Sequence, residues 1–484
     1  MRILVSLVFL ISACVPLAFG QFSGVNVAEV QFGKLPNEAA DPFPSLYDRA
    51  VLNYRYGKLK ASATIEQYQV KYEDRRYFDL SQLRLGYKTK HWDIKLGNFY
   101  ETIGRGMAIR SFEIPASILE DIGFRSRSYF HRDILGGSAA YQTKKWKVQL
   151  LHGEILNNLL PPTFDRSDRR TETVSGMTGS YKISQRIKLG ANLINIKEDN
   201  LSARQIAGGS VSGDIANGLS YYVEYAHSFS QANDYALYAG LTGYVGELTY
   251  NVEYKKYENF IIGSGLNEPP ALIKQHTYKV LNRSTHVTNP LNEEGYQIDL
   301  YYPVGESSSI NFNHALAANT FGATNFIFRE LFAEWSSSLR EGLDYKIFLD
   351  YAQDPFKGEA DRWSTGLYVD LALGGEMRLL PEVEYQRFNR FGSAVNNQSY
   401  SLGLHLDKTF FVSVILETTT DPFLVDTGES SRAYLGSNIR FKPNYKNTFQ
   451  LFLGERRGGP LCNAGVCYEI LDFKGIETRW TVRF

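Results

Sequence analysis

Between positions 101 and 135, Arg105, Arg110, Arg125, Arg127 and Arg132 stand among Glu101, Glu113, Glu120, Asp121 and Asp133. Charges of both signs packed into one segment suit two kinds of chemistry. Facing water, they form a constriction that selects solutes, as rings of charged side chains do in pores. Withdrawn from water, they pair and lock the segment as a structural plug. Sequence alone leaves both readings open. Gly104 and Gly106 flank Arg105, and they supply the positive φ that a chain leaving a strand and turning inward would need; an ordinary loop glycine pair is the alternative.

Other chemistry is poorly supported. His91, His131, His152, His227, His276, His286, His314 and His405 are scattered singly, with no His-x-His, H-E-x-x-H or G-x-S-x-G pattern. No catalytic residue, cofactor or metal site is expected. His152, beside Glu154, and His314, near Asn311 and Asn313, read as polar residues facing a lumen. The acidic loops 354–361 and 421–429 lack the spacing of a calcium site and read as solvated turns.

The 484 residues carry 52 Lys+Arg and 52 Asp+Glu, so there is no basic footprint for nucleic acid. Near-neutrality also argues against strong ion selectivity. Residues 1–20 have the layout of a secretory signal peptide: Arg2, the apolar run Ile3 to Leu10, and small residues ending at Ala18-Phe19-Gly20. A lipobox ending at Cys14 is the competing reading. In an exported chain, Cys462 and Cys467 are expected to close a small disulfide loop.

The elements that position these residues follow from period-2 alternation. Leu343, Tyr345, Ile347, Leu349 and Tyr351 alternate with Asp344, Lys346, Phe348 and Asp350; Ile476, Thr478, Trp480, Val482 and Phe484 alternate with Glu477, Arg479, Thr481 and Arg483. One face of each strand therefore meets an apolar phase. The pattern continues without a linker, and Tyr, Phe and Trp recur near strand ends, as in the interfacial girdles of outer-membrane barrels. No apolar run is long enough for a transmembrane helix.

Eleven tight turns, from Tyr56-Gly57-Lys58 to Asn444-Tyr445-Lys446, alternate with longer connections. The count implies an all-β, antiparallel transmembrane barrel of about 24 strands (22–26) over residues 21–484, its tight turns toward the periplasm. A barrel this wide needs something to fill it. Residues 101–135 are the expected inward-folded plug, with a short helix at Pro115 to Asp121, and the connections 155–170 and 258–294 are also unusually long. Too little sequence precedes the first strand to hold the globular plug of an energised importer. Phe484, ending an alternating strand, looks like the signal by which the barrel assembly machinery recognises its clients.

Gly97-Asn-Phe-Tyr-Glu-Thr-Ile-Gly-Arg-Gly-Met-Ala-Ile-Arg-Ser-Phe-Glu113 resembles the signature of an uncharacterised family of Bacteroidota outer-membrane β-barrels, and so does Pro44 to Ala61 upstream. The resemblance departs at Ile103 and Arg105, where Phe and a small residue would be expected. It implies location and architecture and brings no substrate. Together these readings predict a passive, porin-like channel in the outer membrane of a Gram-negative bacterium, and no enzyme. Its expected partners are outer-membrane lipids, the assembly machinery and surface lipoproteins. The alternative is a non-conducting barrel that anchors or assembles surface proteins.

Overall fold

The computed structural model describes residues 20–34, 42–113, 117–120, 127–129, 131–156, 171–198, 203–229, 234–260, 270, 272, 274–287, 291–425, 428–463 and 466–484. The expected signal peptide, apart from Gly20, and Arg125 lie outside them. Twenty-four strands follow one another as an antiparallel meander. The last, Phe473–Arg483, pairs with the first, Gln21–Lys34, from Val25 opposite Arg483 to Lys34 opposite Lys474. Closure satisfies every wall strand on both sides and leaves no edge, the condition for strands to cross an apolar phase.

The wall is inverted relative to a water-soluble barrel. In the strand Leu343–Asp354, Leu349 on the outer face is 59% exposed, whereas Phe348 and Asp350 on the inner face are each 1% exposed. Leu83, Leu150, Leu193, Leu402 and Leu435 likewise cover the outside, while Glu66, Gln82, Lys255, Arg362 and Gln386 are buried within. Alternation of apolar and polar residues thus encodes lipid-facing and lumen-facing sides. Aromatic pairs mark the rims: Trp92 with Tyr141, Trp146 with Tyr181 and Phe449 with Trp480 near the tight turns, and Tyr351 with Trp363 toward the other end.

All eleven expected tight turns join strands at one end. At the other end the expected contrast in length fails three times: Phe321 to Thr324 and Arg390 to Ser393 are joined by two residues each, and Asp354 to Glu359 by one 3-10 turn, Pro355–Lys357. Glycine accounts for this locally, since Gly322, Gly358 and Gly392 have positive φ and let the chain reverse at once. The long connections are concentrated elsewhere around the rim, and two of them enter the barrel.

Candidate functional site

The first insertion runs from Tyr100 to Asp133. It opens with a hairpin in which Thr102 pairs with Arg110 and Ile103 with Ile109. The Gly106 amide donates to the Ile103 carbonyl at 2.9 Å, and Gly104 and Gly106 have φ of +61° and +91°. A Cβ at Gly104 would stand 2.1 Å from the Glu224 carboxylate, so this position needs glycine for space as well as for conformation. Ile103, Met107 and Ile109 then bury themselves against Leu151, Val174, Ile194 and Ile206, inward apolar positions on one part of the wall.

On another part of the wall the same insertion is held by charge. Arg127 Nη2 lies 2.5 Å from Glu29 Oε1 on the first strand, and Arg127 Nε lies 2.9 Å from Glu120. Burial disfavours the Arg127 cation, but Glu29, Glu120 and Glu477 outweigh it and hold the guanidinium charged. Tyr77 donates to the Arg127 carbonyl, and the Tyr129 amide donates to Glu66 at 3.0 Å. Glu113 accepts from Tyr100 and Tyr129 and faces Arg84 at 3.8 Å. Burial, then Asp133 and Glu113, push the Tyr100 hydroxyl far above its ordinary range, leaving it a neutral donor.

The helix expected at Pro115 to Asp121 is not what the described part of that stretch forms. Leu119–Glu120 is extended and pairs with Arg127–Ser128, because this ribbon lets Arg127 reach Glu120 and Glu29 together. His131 and Arg132 pair in the same way with Glu113 and Phe112.

A second insertion, which the sequence marked only by its length, crosses the opposite half of the lumen. Lys274 binds Asp299 and Asn311, and Tyr278 donates to Glu334. The single helical turn Lys279–Asn282 directs the Lys279 and Val280 amides at the two oxygens of Glu384. Arg283 pairs with Glu417, Arg362 donates to the Ser284 carbonyl, and His286 meets Asp354 at 3.0 Å. Its Leu272 joins the apolar cluster around Met107, so the two insertions share one packed centre.

The insertions leave a vestibule toward the tight turns, and its walls are charged differently. Arg55 and Lys60 are direct cross-strand partners, and with Arg84 and Lys95 they line a cleft of 560 Å³. Inward positions nearby add Lys88, Lys147, Arg440 and Arg483; among the described residues the wall's own carboxylate here is Asp93, 3.2 Å from Lys88, while the first insertion brings Glu101 to Lys95 at 2.8 Å and Glu113 to Arg84. Eight strands around the ring the balance reverses. Asp214 and Glu253 line a cleft of 250 Å³ with Tyr222 and Tyr238, and the inward series continues through Asp299, Glu334, Asp344, Asp370 and Glu382, with Lys346 and Arg378 as the wall's own cations among the described residues. Walls of opposite sign set up a transverse field across the lumen.

Arg105 reaches into this vestibule. Its amide donates to Glu224 at 2.7 Å, and its guanidinium lies over the rings of Tyr222 and Tyr238, at 5.0 and 5.8 Å.

Residues 48–353 match the model of a family described as Family of unknown function (DUF6029). The chain belongs to this family. No curated protein matches the sequence of this DUF6029 member. Among solved structures, similarity extends to the translocation pore of the P pilus usher PapC (TM-score 0.49, 9% identity, 96% of this chain and 99% of that one). It extends also to OccK5 (OpdH) of Pseudomonas aeruginosa (TM-score 0.40, 13% identity, 76% and 97%). The ferric enterobactin receptor PfeA of the same organism gives a TM-score of 0.46 at 9% identity over 97% and 82%.

The other residues singled out from sequence fall as follows in this DUF6029 barrel. Arg110 lies 5.4 Å from the Phe112 ring within the first insertion, away from the cleft that Arg105 lines. His152 and His314 face outward rather than into the lumen, since Leu151 and Asn313, their chain neighbours, take the buried inner face. His152 meets Ser175 Oγ at 2.8 Å, and His314 meets the Tyr296 hydroxyl at 3.1 Å. Cys462 and Cys467 are direct partners across the hairpin Gly459–Asn463 and Val466–Ile470; their side chains lie outside the described residues. Phe484 exchanges backbone hydrogen bonds with Gly24 at 2.8 and 3.1 Å, and its ring stacks on Phe22, at the seam where the barrel closes.

Proposed function

We propose that this chain is a passive, porin-like channel in the outer membrane of a Gram-negative bacterium, a member of the Bacteroidota by its signature residues, and that it passes small charged solutes. The observation that carries this reading is the vestibule, where a basic wall around Arg55, Lys60, Arg84 and Lys95 faces an acidic wall around Asp214, Glu253 and Asp299. Neither Arg55 nor Lys60 makes an ion pair among the described residues, so their charge is offered to the lumen. Two cations placed directly opposite each other destabilise a sheet, and an arrangement with that cost suits a site that meets anions. A transport role rather than a catalytic one agrees with the scattered histidines. Insertion into the membrane would rest on Phe484 as the assembly signal.

The test is single-channel conductance of the purified protein in a planar bilayer, beside variants lacking residues 104–133 or 274–287. Steady steps in the intact protein, with a reversal potential that Lys60→Glu moves toward cations, support the reading. A second reading draws on the buried Arg127–Glu29 pair and the partly buried Arg283–Glu417 pair, which fasten both insertions: a barrel that is closed at rest and serves as an anchor for surface proteins. It predicts an intact protein that stays silent while the deletions conduct. Silence of all three, each folded, refutes a channel.

A further inference from the structure

Three side chains converge where the second insertion meets the wall: His276 from the insertion, Glu330 from the strand Thr324–Arg340 and Asp350 from the strand Leu343–Asp354. Each is buried, and each offers a ligand atom within 4.8 Å of the other two. His276 Nε2 is 3.3 Å from Glu330 Oε2. The His276 ring is fixed against Phe332, 4.3 Å away between centroids.

What distinguishes this cluster from an ordinary ion-pair network is which atoms are satisfied. Glu330 Oε1 accepts from Arg362 Nη2 at 3.3 Å, and Asp350 Oδ2 accepts from Ser364 Oγ at 3.2 Å. His276 Nε2, Glu330 Oε2 and Asp350 Oδ1 have no hydrogen-bond partner. Arg362 Nη1 is engaged by Glu359 at 3.1 Å and by the Ser284 carbonyl at 2.8 Å. His276 Nε2 and Glu330 Oε2 thus meet only as an ion-pair contact and Asp350 Oδ1 has no donor, while the far oxygen of each carboxylate is held by a second layer of donors. Buried polar groups are nearly always paired, and a set of orphans converging on one point signals a missing partner.

The charges point the same way. Glu330, Asp350, Glu359 and Asp421 are joined through Arg362 and Arg390, four carboxylates to two guanidiniums. Beside this network His286 pairs with Asp354, and Lys357 donates to the Thr285 carbonyl. Around Arg362 itself three carboxylates, Glu330, Asp350 and Glu359, share one guanidinium, an excess that a divalent cation would offset.

We propose that His276, Glu330 and Asp350 form a binding site for a divalent first-row transition cation of the zinc type, clipping the second insertion to the barrel wall. One imidazole nitrogen with two carboxylate oxygens is a donor set for such ions, whereas calcium takes six to eight oxygens. Arg362 and Ser364 orient the carboxylates from outside the ligand shell. The inference goes beyond the channel reading and is independent of it.

The test uses full-length protein folded in detergent, stripped with EDTA and titrated with Zn²⁺ alone, with Co²⁺ as a spectroscopic probe. One zinc per chain and a visible ligand-field band with cobalt are expected. His276→Gln and Glu330→Gln should each abolish both. Ser364→Ala should weaken zinc about 10- to 100-fold, as loss of an outer-shell partner does. His152→Gln, on the outer face, should change nothing. Failure of wild type to bind zinc overturns the site, as does undiminished affinity in a His276→Gln variant with the heat-modifiable mobility of a folded barrel. Should the ligand variants not fold, hydrogen exchange of residues 274–287 in wild type decides: slowing by zinc supports the clip, and unchanged exchange overturns it.

Discussion

Arg127→Met keeps most of the aliphatic reach of the side chain and removes the charge that ties the first insertion to the wall. The arginine is 7% exposed, Glu29 is fully buried, and Glu120 is 7% exposed. Two charged contacts, at 2.5 and 2.9 Å, disappear. Removing one partner of a buried ion pair costs about 3–5 kcal/mol. Glu29 keeps Arg479 at 2.5 Å and Glu120 keeps the Leu471 amide at 3.2 Å, so neither carboxylate is stranded. The expected cost is therefore at the low end of that range, about 3 kcal/mol, or roughly a 100-fold rise in local opening of the ribbon. Hydrogen exchange in detergent measures it: the amides of Leu119, Glu120, Ser128 and Tyr129 should exchange about 100-fold faster, while the strands Gln21–Lys34 and Phe473–Arg483 stay protected. Adding Glu120→Gln removes the surplus charge and should restore part of the protection. Unchanged exchange over residues 117–129 in an intact barrel would refute the claim that this ion pair holds the insertion.

Arg105→Ala deletes the guanidinium over Tyr222 and Tyr238 but spares the backbone bond to Glu224; the barrel should remain folded and its reversal potential should move toward cation selectivity, and an unmoved potential excludes Arg105 from the conduction path. Gly104→Ala forces a Cβ onto the Glu224 carboxylate at positive φ; destabilisation of the first hairpin by about 2 kcal/mol or more is expected, read as faster exchange at Ile103 and Ile109, which an unchanged rate would contradict. Deleting Phe484 removes both hydrogen bonds to Gly24 and the stack on Phe22; a lower yield of heat-modifiable barrel in membranes is expected, and an equal yield denies the residue a role in assembly. Cys462 and Cys467, directly opposed in their hairpin, should give no free thiol in unreduced protein, and titration of two thiols would show that the loop is open.

Net charge is a quantity without a position. The balance of 52 cations and 52 anions suggested weak selectivity. The fold sorts those charges, sending Arg55, Lys60, Arg84 and Lys95 to one wall and Asp214, Glu253 and Asp299 to the other. A sum over the chain carries no record of that separation. His152 and His314 show the same limit at single-residue scale, since shifting parity by one position exchanges lumen for lipid.

Alternation, tight turns and a terminal aromatic strand were sufficient to specify a closed barrel of about 24 strands, because strand pairing and two-faced burial are local, periodic properties that any stretch of about ten residues displays. The inward turn at Gly104 and Gly106 was legible for the same reason: a positive φ is a demand on one residue. The occupancy of the lumen was decided only by tertiary structure. Arg127 finds Glu29, Arg283 finds Glu417, and His276 meets Glu330 and Asp350 across long separations in the chain. Such meetings depend on which strands stand opposite one another once the ring has closed, and no spacing along the sequence encodes a distance across a barrel.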